Sequence, residues 1–291
     1  MGKRGTGFIV FILLTMAPAW AAETHAMSGL VLNVDAIHKT MTVSCKSVPG
    51  YMGAMTMPFD VHEAKLLDGL KPGTIIDFTL MVEGNSSYAE NIRVHRYENL
   101  EQEPLEARRF AILSKLANPA AAAGVLTVQQ GVPDFSLTDQ AREKIAFSQF
   151  NGKVVALSFA YVQCPNPAYC FRLTSNLGQL QKRFPERLGH DLELLTIIID
   201  PEHDQDDAIK KYAGIWNADP QTWHFLTGPL PEVQRVSRMF GMEFWNDEGF
   251  LTHSFHTVII DRRGRLIANL EGNQFTSQQL GDLVQTVMDR P

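Results

Sequence analysis

The pattern of apolar residues changes once along the chain, and no other property of the sequence constrains its fold as strongly. Residues 27–98 contain short stretches in which apolar side chains alternate, such as Met41, Val43 and Cys45 on one strand face. From Val125 onward, apolar strands alternate with helical patterns, which is typical of an α/β domain. The sequence therefore predicts a small all-β, OB-like barrel followed by an α/β domain.

Residues 99–124 separate the two patterns. They begin with charged residues and end in an Ala-rich stretch, so we predict a linker with a short helix. A length of 291 residues fits two domains of ordinary size, which we assign to residues 27–98 and 125–291.

The first 21 residues have the pattern of a secretory signal peptide. Residues 1–4 are positively charged, residues 8–16 form an apolar run, and Ala19-Trp20-Ala21 fits a cleavage site. A membrane anchor is the alternative, but the apolar stretch is shorter than the ~20 residues that span a bilayer. We therefore expect cleavage after Ala21, no stable membrane span and a periplasmic location, where paired cysteines can be oxidised.

The composition excludes several classes of function. Lys plus Arg number 26 against 32 Asp plus Glu, and no long basic run occurs, so nucleic acid is not an expected partner. Three cysteines are too few for a disulfide scaffold. No segment has the pattern of a phosphate-binding loop or of a hydrolytic site.

Two of the three cysteines lie where a predicted strand, residues 154–160, passes into a predicted helix. Cys164 and Cys170 flank a Pro-rich loop, and the beginning of a helix favours the thiolate over the thiol. Such a pair can close a disulfide or bind a soft metal ion. Two unrelated core cysteines are the alternative.

The chain resembles the Sco/SenC family in this cysteine pair, in the segment Asp200-Pro201-Glu202 and in His253, which precedes Asp261 by eight residues. That family consists of thioredoxin-like copper chaperones, and the resemblance covers about residues 125–291. It implies a thioredoxin-like fold and a copper site formed by Cys164, Cys170 and His253. It also implies delivery of copper to a respiratory oxidase. Five residues separate the cysteines here, whereas many members have three.

The ligand types agree with copper. Two thiolates and one imidazole suit Cu(I), with Cu(II) as a second possibility, whereas Zn²⁺ prefers four ligands. His203 and His256 are rival ligands. His256 lies inside a strand pattern and is expected to be packed, and His203 follows Pro201-Glu202 in a loop, so His253 ranks first by spacing.

The first domain contains an unusual cluster of methionines. Met52, Met55 and Met57 lie within six residues, and Met55 and Met57 share a strand face. Thioethers are soft ligands for Cu(I), but methionines next to Phe59 and Val61 would also fill a small core well.

The sequence Met-Thr-Met-Pro-Phe, residues 55–59, resembles the CusF-type copper-binding barrel. In that family two methionines and a histidine bind Cu(I), and a tryptophan covers the metal. Met55 and Met57 match the methionines, Cys45 takes the histidine position, and Met52 takes the place of the tryptophan. Tyr51 is an alternative cover, and a packed, half-buried side chain is the alternative for Cys45.

Together the two resemblances imply an exported copper chaperone with two copper sites, rather than an enzyme. Its expected partner is a copper-receiving oxidase subunit or another periplasmic cuproprotein, and the barrel could pass Cu(I) on across the linker. Two alternatives stay open. A thiol–disulfide oxidoreductase would use Cys164 and Cys170, although the sequence lacks Cys-x-x-Cys and the expected proline. A copper buffer would bind metal without delivering it.

Overall fold

A computed structural model describes residues 23–84, 86–95, 124–164, 167–247 and 250–290, with backbone only for 167–170, 245–247, 250 and 252. The predicted signal peptide, residues 1–21, and nearly all of the predicted linker, residues 99–124, lie outside the described residues. In the described part, no helix is long and apolar enough to cross a membrane.

The first half of the chain is a closed five-stranded barrel in the order β1-β2-β3-β5-β4. Its strands are β1 (Glu23–Asp35), β2 (Thr40–Cys45), β3 (Met55–Asp60), β4 (Ile75–Glu83) and β5 (Ser86–Val94). All neighbours are antiparallel except β3 and β5. The prediction of a small all-β domain is confirmed. The starts of two strands differ from the prediction: β1 begins six residues before the apolar run 29–34 that predicts it, and β5 begins inside residues 83–87, which the sequence predicts as a loop.

The second half is an α/β domain built on a five-stranded sheet in the order β10-β9-β8-β13-β14. The sheet strands are β8 (Val154–Ala160), β9 (Leu192–Ile198), β10 (Trp223–Leu226), β13 (His256–Ile260) and β14 (Leu266–Glu271). Strands β8, β9 and β10 are parallel, and β13 runs antiparallel to both of its neighbours. The α/β prediction is therefore confirmed.

Four helices and two small hairpins complete this domain. The helices are α1 (Pro167–Arg183), α2 (Asp206–Ile215), α3 (Leu230–Met239) and α4 (Ser277–Met288). The hairpins are β6 (Ser136–Thr138) with β7 (Lys144–Ala146), and β11 (Phe244–Asp247) with β12 (Phe250–His253). The sequence predicts neither hairpin. The sequence predicts a helix from residue 173, whereas α1 begins six residues earlier, which places Cys170 in its first turn.

Two hydrophobic layers cover the two faces of the sheet. One contains apolar residues of α1, α2 and α4, and the other contains those of α3 and of the segment with β6 and β7. Leu30 and Leu32 from the barrel belong to the layer of α1 and α4. The barrel therefore packs into the second domain, and a Cβ on Gly73 would lie 2.9 Å from that of Ala268 in β14.

Candidate metal centres

Cys164 lies just beyond the carboxyl end of β8. It is partly buried against the layer that contains Phe159 and Met239, and it is disulfide-bonded in this structure. Helix α1 begins three residues later at Pro167, a residue well suited to the first turn of a helix. Cys170 belongs to that first turn. The backbone thus places both predicted cysteine positions at one strand-to-helix junction.

The acidic loop after β9 lies against this junction. Asp204 is buried and accepts a hydrogen bond from the Val162 amide at 2.6 Å. Burial, reinforced by the charge of Asp200, raises the pKa of Asp204 to about 6. The Gln163 side chain donates to the His203 carbonyl, so this loop also contacts the residue before Cys164. Asp204 is not among the residues predicted from the sequence, although its position two residues after the segment Asp200-Pro201-Glu202 was a signal.

His253 is the last residue of β12 and lies at the edge of the five-stranded sheet where β8 ends. Its ring meets the Tyr161 ring edge-on, with centroids 5.6 Å apart, and Tyr161 precedes Cys164 by three residues. The Nδ1 atom lies 2.9 Å from the Ser254 carbonyl oxygen, which can only accept, so Nδ1 donates and the neutral ring keeps its lone pair on Nε2. Burial lowers the pKa of His253, which favours this neutral form.

The rival histidines differ from His253 in their contacts. His256 is buried, and its Nδ1 lies 2.8 Å from Asn269 Oδ1, whose amide donates to the Phe240 carbonyl. His256 is therefore a packed histidine, as the strand pattern predicts. His203 is exposed, and its hydrogen bond with Asp200 raises its pKa, which favours the charged form that cannot bind a metal ion.

In the barrel, the register brings the predicted sulfur residues together. Cys45 at the end of β2 is directly opposite Met55 at the start of β3, and Val43 is opposite Met57. Side chains alternate along a strand, so Cys45, Met55 and Met57 share one face. Met52 packs against the same core from the connecting loop, whose Val48 pairs with Met52.

These sulfur residues differ in burial. Cys45 is 1% exposed and its thiol contacts the Val43 carbonyl oxygen, whereas Met55 is 49% exposed at the rim of the barrel. Burial raises the pKa of the Cys45 thiol to about 12. Cys45 is therefore fully inside the core, and more deeply buried than the half-buried side chain that was the alternative to a metal ligand.

His25 also lies at the rim, and the sequence argument missed it. Its ring stacks on Tyr51, with centroids 3.5 Å apart, and its Nε2 is 3.1 Å from a Glu23 oxygen. His25 shares a strand face with the buried Met27, two residues further along β1. That spacing was a signal, but the predicted strand began at residue 29, six residues after the observed start.

Among the described residues, which leave out the Cys170 side chain, no group of three or more His, Cys, Asp or Glu could hold a metal ion. The methionines of the barrel are not covered by this result, because thioether sulfur is not among the ligand types His, Cys, Asp and Glu.

Comparison with known proteins places both halves. Residues 126–289 match the model of the SCO1/SenC family, and residues 24–93 match that of the copper binding periplasmic protein CusF. A solved SCO1/SenC family lipoprotein from Bacillus anthracis str. Ames has a TM-score of 0.50 and 22% identity, covering 55% of this chain and 96% of that one. This likeness shows that the second domain is a thioredoxin-like fold.

The family match covers more than half of the 291 residues, so the chain belongs to the SCO1/SenC family. A "Putative copper-binding protein" from Stutzerimonas stutzeri is 26% identical over 120 residues, 41% of this chain and 56% of that protein. The "SCO1 protein homolog" of Bacillus subtilis is 26% identical over 97 residues, 33% and 49% of the two chains. The chain thus spans about half the length of these curated relatives.

Proposed function

We propose that this protein is an exported copper chaperone in which Cys164, Cys170 and His253 hold copper for a respiratory oxidase copper centre. The observation that carries the proposal is the position of His253. Its ring lies on Tyr161, beside the loop of Cys164, and its hydrogen bond to the Ser254 carbonyl leaves Nε2 as a ligand atom. Family membership supports the same function.

The donor set fits copper. Two thiolates and one neutral imidazole form a three-coordinate site that suits Cu(I), and Cu(II) accepts the same donors in a larger shell. The disulfide form of Cys164 cannot bind in this way, so two electrons and two protons must first convert the pair to thiols. Metal binding then requires loss of the thiol protons, which the start of α1 favours.

We propose a second Cu(I) site in the barrel, formed by Met55, Met57 and Cys45, with Met52 or Tyr51 as its cover. The cross-strand pairing of Cys45 with Met55 supports this arrangement, and so does the match to CusF. Thioethers bind Cu(I) at any ordinary pH because they carry no proton. Cys45 must lose a proton in a buried place, so it contributes only when the metal displaces that proton.

Cleavage of residues 1–21 would release the protein into the periplasm, where it would meet an oxidase subunit or another cuproprotein. The CusF match, whose name describes a periplasmic protein, supports this location. The test is titration of the reduced mature protein with Cu(I) against bicinchoninate. Wild type is compared with Cys164→Ser/Cys170→Ser and with Met55→Leu/Met57→Leu.

Two tight equivalents, one lost in each double variant, are the expected result. Copper then passes to an apo oxidase copper-centre domain at a rate that His253→Ala changes. Tight binding without any release to that domain indicates a copper buffer. A single equivalent that survives the cysteine substitutions contradicts the proposed role of Cys164 and Cys170.

A thiol–disulfide oxidoreductase is the second candidate, and the disulfide-bonded state of Cys164 at the beginning of a helix favours it. Such an enzyme would reduce oxidase cysteines before they receive metal. It is tested by turnover of a disulfide-containing oxidase peptide in copper-free buffer with excess reductant. Turnover that Cys164→Ser abolishes and chelators leave unchanged would favour the reductase over the chaperone.

A further inference from the structure

A hydrogen-bonded junction joins the barrel to helix α4 directly behind the candidate sulfur site. Ser44 and Thr56 are opposite each other on β2 and β3, and both hydroxyls donate to one oxygen, Oδ2, of Asp282 at 2.7 and 2.9 Å. Arg183 at the end of α1 donates to the other oxygen, Oδ1, at 2.6 Å. One carboxylate therefore bridges two barrel strands and is held in place by the second domain.

The two hydroxyl residues of this bridge are sequence neighbours of the sulfur residues on both strands. Ser44 precedes Cys45, and Thr56 lies between Met55 and Met57. Because side chains alternate, Ser44 and Thr56 face α4, whereas the sulfur residues lie on the opposite face of the two strands, with Met55 exposed at the rim. The separation of β2 and β3 at Ser44 and Thr56 also sets the distance between Cys45 and Met55. A carboxylate that holds Ser44 and Thr56 in place therefore also holds the sulfur residues in place.

Two backbone contacts reinforce the junction. The Gln279 side chain donates to the Ser44 carbonyl at 3.0 Å, and the Gln278 side chain donates to the Ala54 carbonyl at 3.3 Å. Gln279 also completes the capping box of α4, so its position is fixed by the helix. Asp282 itself is only 13% exposed, so its charge is held by Arg183 and the two hydroxyls rather than by water.

We propose that Asp282 is a positioning residue for the barrel's metal site: through Ser44 and Thr56 it holds the strand ends that carry Cys45, Met55 and Met57 in a metal-binding geometry. The proposal rests on the proposed function of the barrel as a Cu(I) site. Binding linkage makes the effect reciprocal, so Cu(I) in the barrel must strengthen docking to α4 by the same factor by which docking strengthens Cu(I) binding.

The test uses the full mature chain with Cys164→Ser/Cys170→Ser as background, so that only the barrel can bind Cu(I) tightly. Cu(I) affinity is measured against bicinchoninate, and the coordination shell by copper X-ray absorption. We expect Asp282→Asn to weaken binding by about 10- to 100-fold, the usual range for residues that orient metal ligands, and to lower the number of sulfur neighbours. Asp289→Asn, at the C-terminal cap of the same helix, is the matched control, because among the described residues its carboxylate accepts from Gln285 alone.

A second variant tests the same bridge from the barrel side. Ser44→Ala/Thr56→Val removes both donors and keeps Asp282, so it should weaken Cu(I) binding similarly. Combined with Asp282→Asn it should add little further loss, because both changes remove one interaction. Losses that instead multiply, or an unchanged affinity in Asp282→Asn, would overturn the proposal.

The Met55→Leu/Met57→Leu variant separates this proposal from the proposed function. If it abolishes binding while Asp282→Asn binds as wild type does, the barrel site stands and the positioning role is wrong. If the methionine substitutions leave Cu(I) affinity unchanged, the barrel site itself is wrong, and the role of Asp282 is overturned with it.

Discussion

Replacing Asp204 by Asn should stabilise the second domain at neutral pH, even though it removes a buried residue beside the cysteine loop. Burial raises the pKa of Asp204 from 3.8 to about 6, so the folded state holds its proton to higher pH than the unfolded state does. A group with a raised carboxyl pKa costs stability as pH rises. The cost is absent below pH 4, grows between about pH 4 and 6, and is complete above.

A shift of about two pKa units corresponds to about 3 kcal/mol at pH 7, since each unit is worth about 1.4 kcal/mol. The Asn carbonyl oxygen can still accept from the Val162 amide, so Asp204→Asn removes the charge and keeps that hydrogen bond. We therefore expect the variant to be more stable than wild type by up to about 3 kcal/mol at pH 7 and equally stable near pH 4.

The assay is urea denaturation from pH 4 to 8, followed by tryptophan fluorescence, which in the mature chain comes from Trp216, Trp223 and Trp245, all in the second domain. Glu202→Gln, an exposed change in the same loop, is the control and should change the free energy of unfolding by no more than about 0.5 kcal/mol. A constant difference between Asp204→Asn and wild type across this pH range would refute the assignment of a raised pKa.

Three further predictions follow from individual contacts. His253→Ala should weaken Cu(I) binding at the cysteine site, whereas His256→Ala should cost about 1–3 kcal/mol in urea denaturation because it leaves the half-buried Asn269 Oδ1 without its hydrogen bond. Gly73→Ala should cost about 1–3 kcal/mol more than Gly84→Ala: both have positive φ, but only Gly73 faces a methyl group of the other domain. If Cys45 ligates Cu(I), affinity in the barrel should rise about tenfold per pH unit between pH 6 and 8, since its thiol pKa is about 12, and Cys45→Ser should remove this slope in competitor titrations.

The sequence predicts the elements whose ends have strong local signals. Strand β8 is bounded by a turn and a Pro-rich loop, and helix α4 starts at a capping box formed by Thr276 and Gln279. The sequence predicts these elements over residues 154–160 and 277–288, and the structure has the same bounds. The hairpin of β11 and β12 lacks such signals. Neither Phe244–Asp247 nor Phe250–His253 has a period-two pattern, so β12, the strand that positions His253, is seen only in the structure.

Two residues of the candidate cysteine site, Cys164 and Cys170, could be predicted because they lie where a predicted strand passes into a predicted helix, and His253 was implied by the resemblance to the Sco/SenC family. The junction between the domains could not be predicted in this way. Ser44 and Asp282 are 238 positions apart, and a Ser, a Thr and an Asp on three separate elements carry no periodic signal. One hint was available: β1 is apolar on both faces around Leu30 and Leu32, as expected of a strand covered on both sides.

The burial of Leu30 and Leu32 on the outer face of β1 determines how the two halves of the chain can work together. Leu30 and Leu32 are 0% and 1% exposed in a layer shared with α1 and α4, and burying two such side chains is worth about 3–6 kcal/mol. This is a large fraction of the ~5–15 kcal/mol that stabilises an ordinary domain, so the barrel is firmly docked on the second domain and does not move independently of it.

The barrel docks beside the last turn of α1 through Arg183 and Asp282, whereas Cys164 precedes the first turn. A helix of 17 residues is about 25 Å long, far beyond the reach of ligand exchange between two metal sites. Transfer of Cu(I) from the barrel to the cysteines therefore requires one of two events. Either the barrel undocks, which exposes Leu30 and Leu32 at a cost of about 3–6 kcal/mol, or two molecules meet.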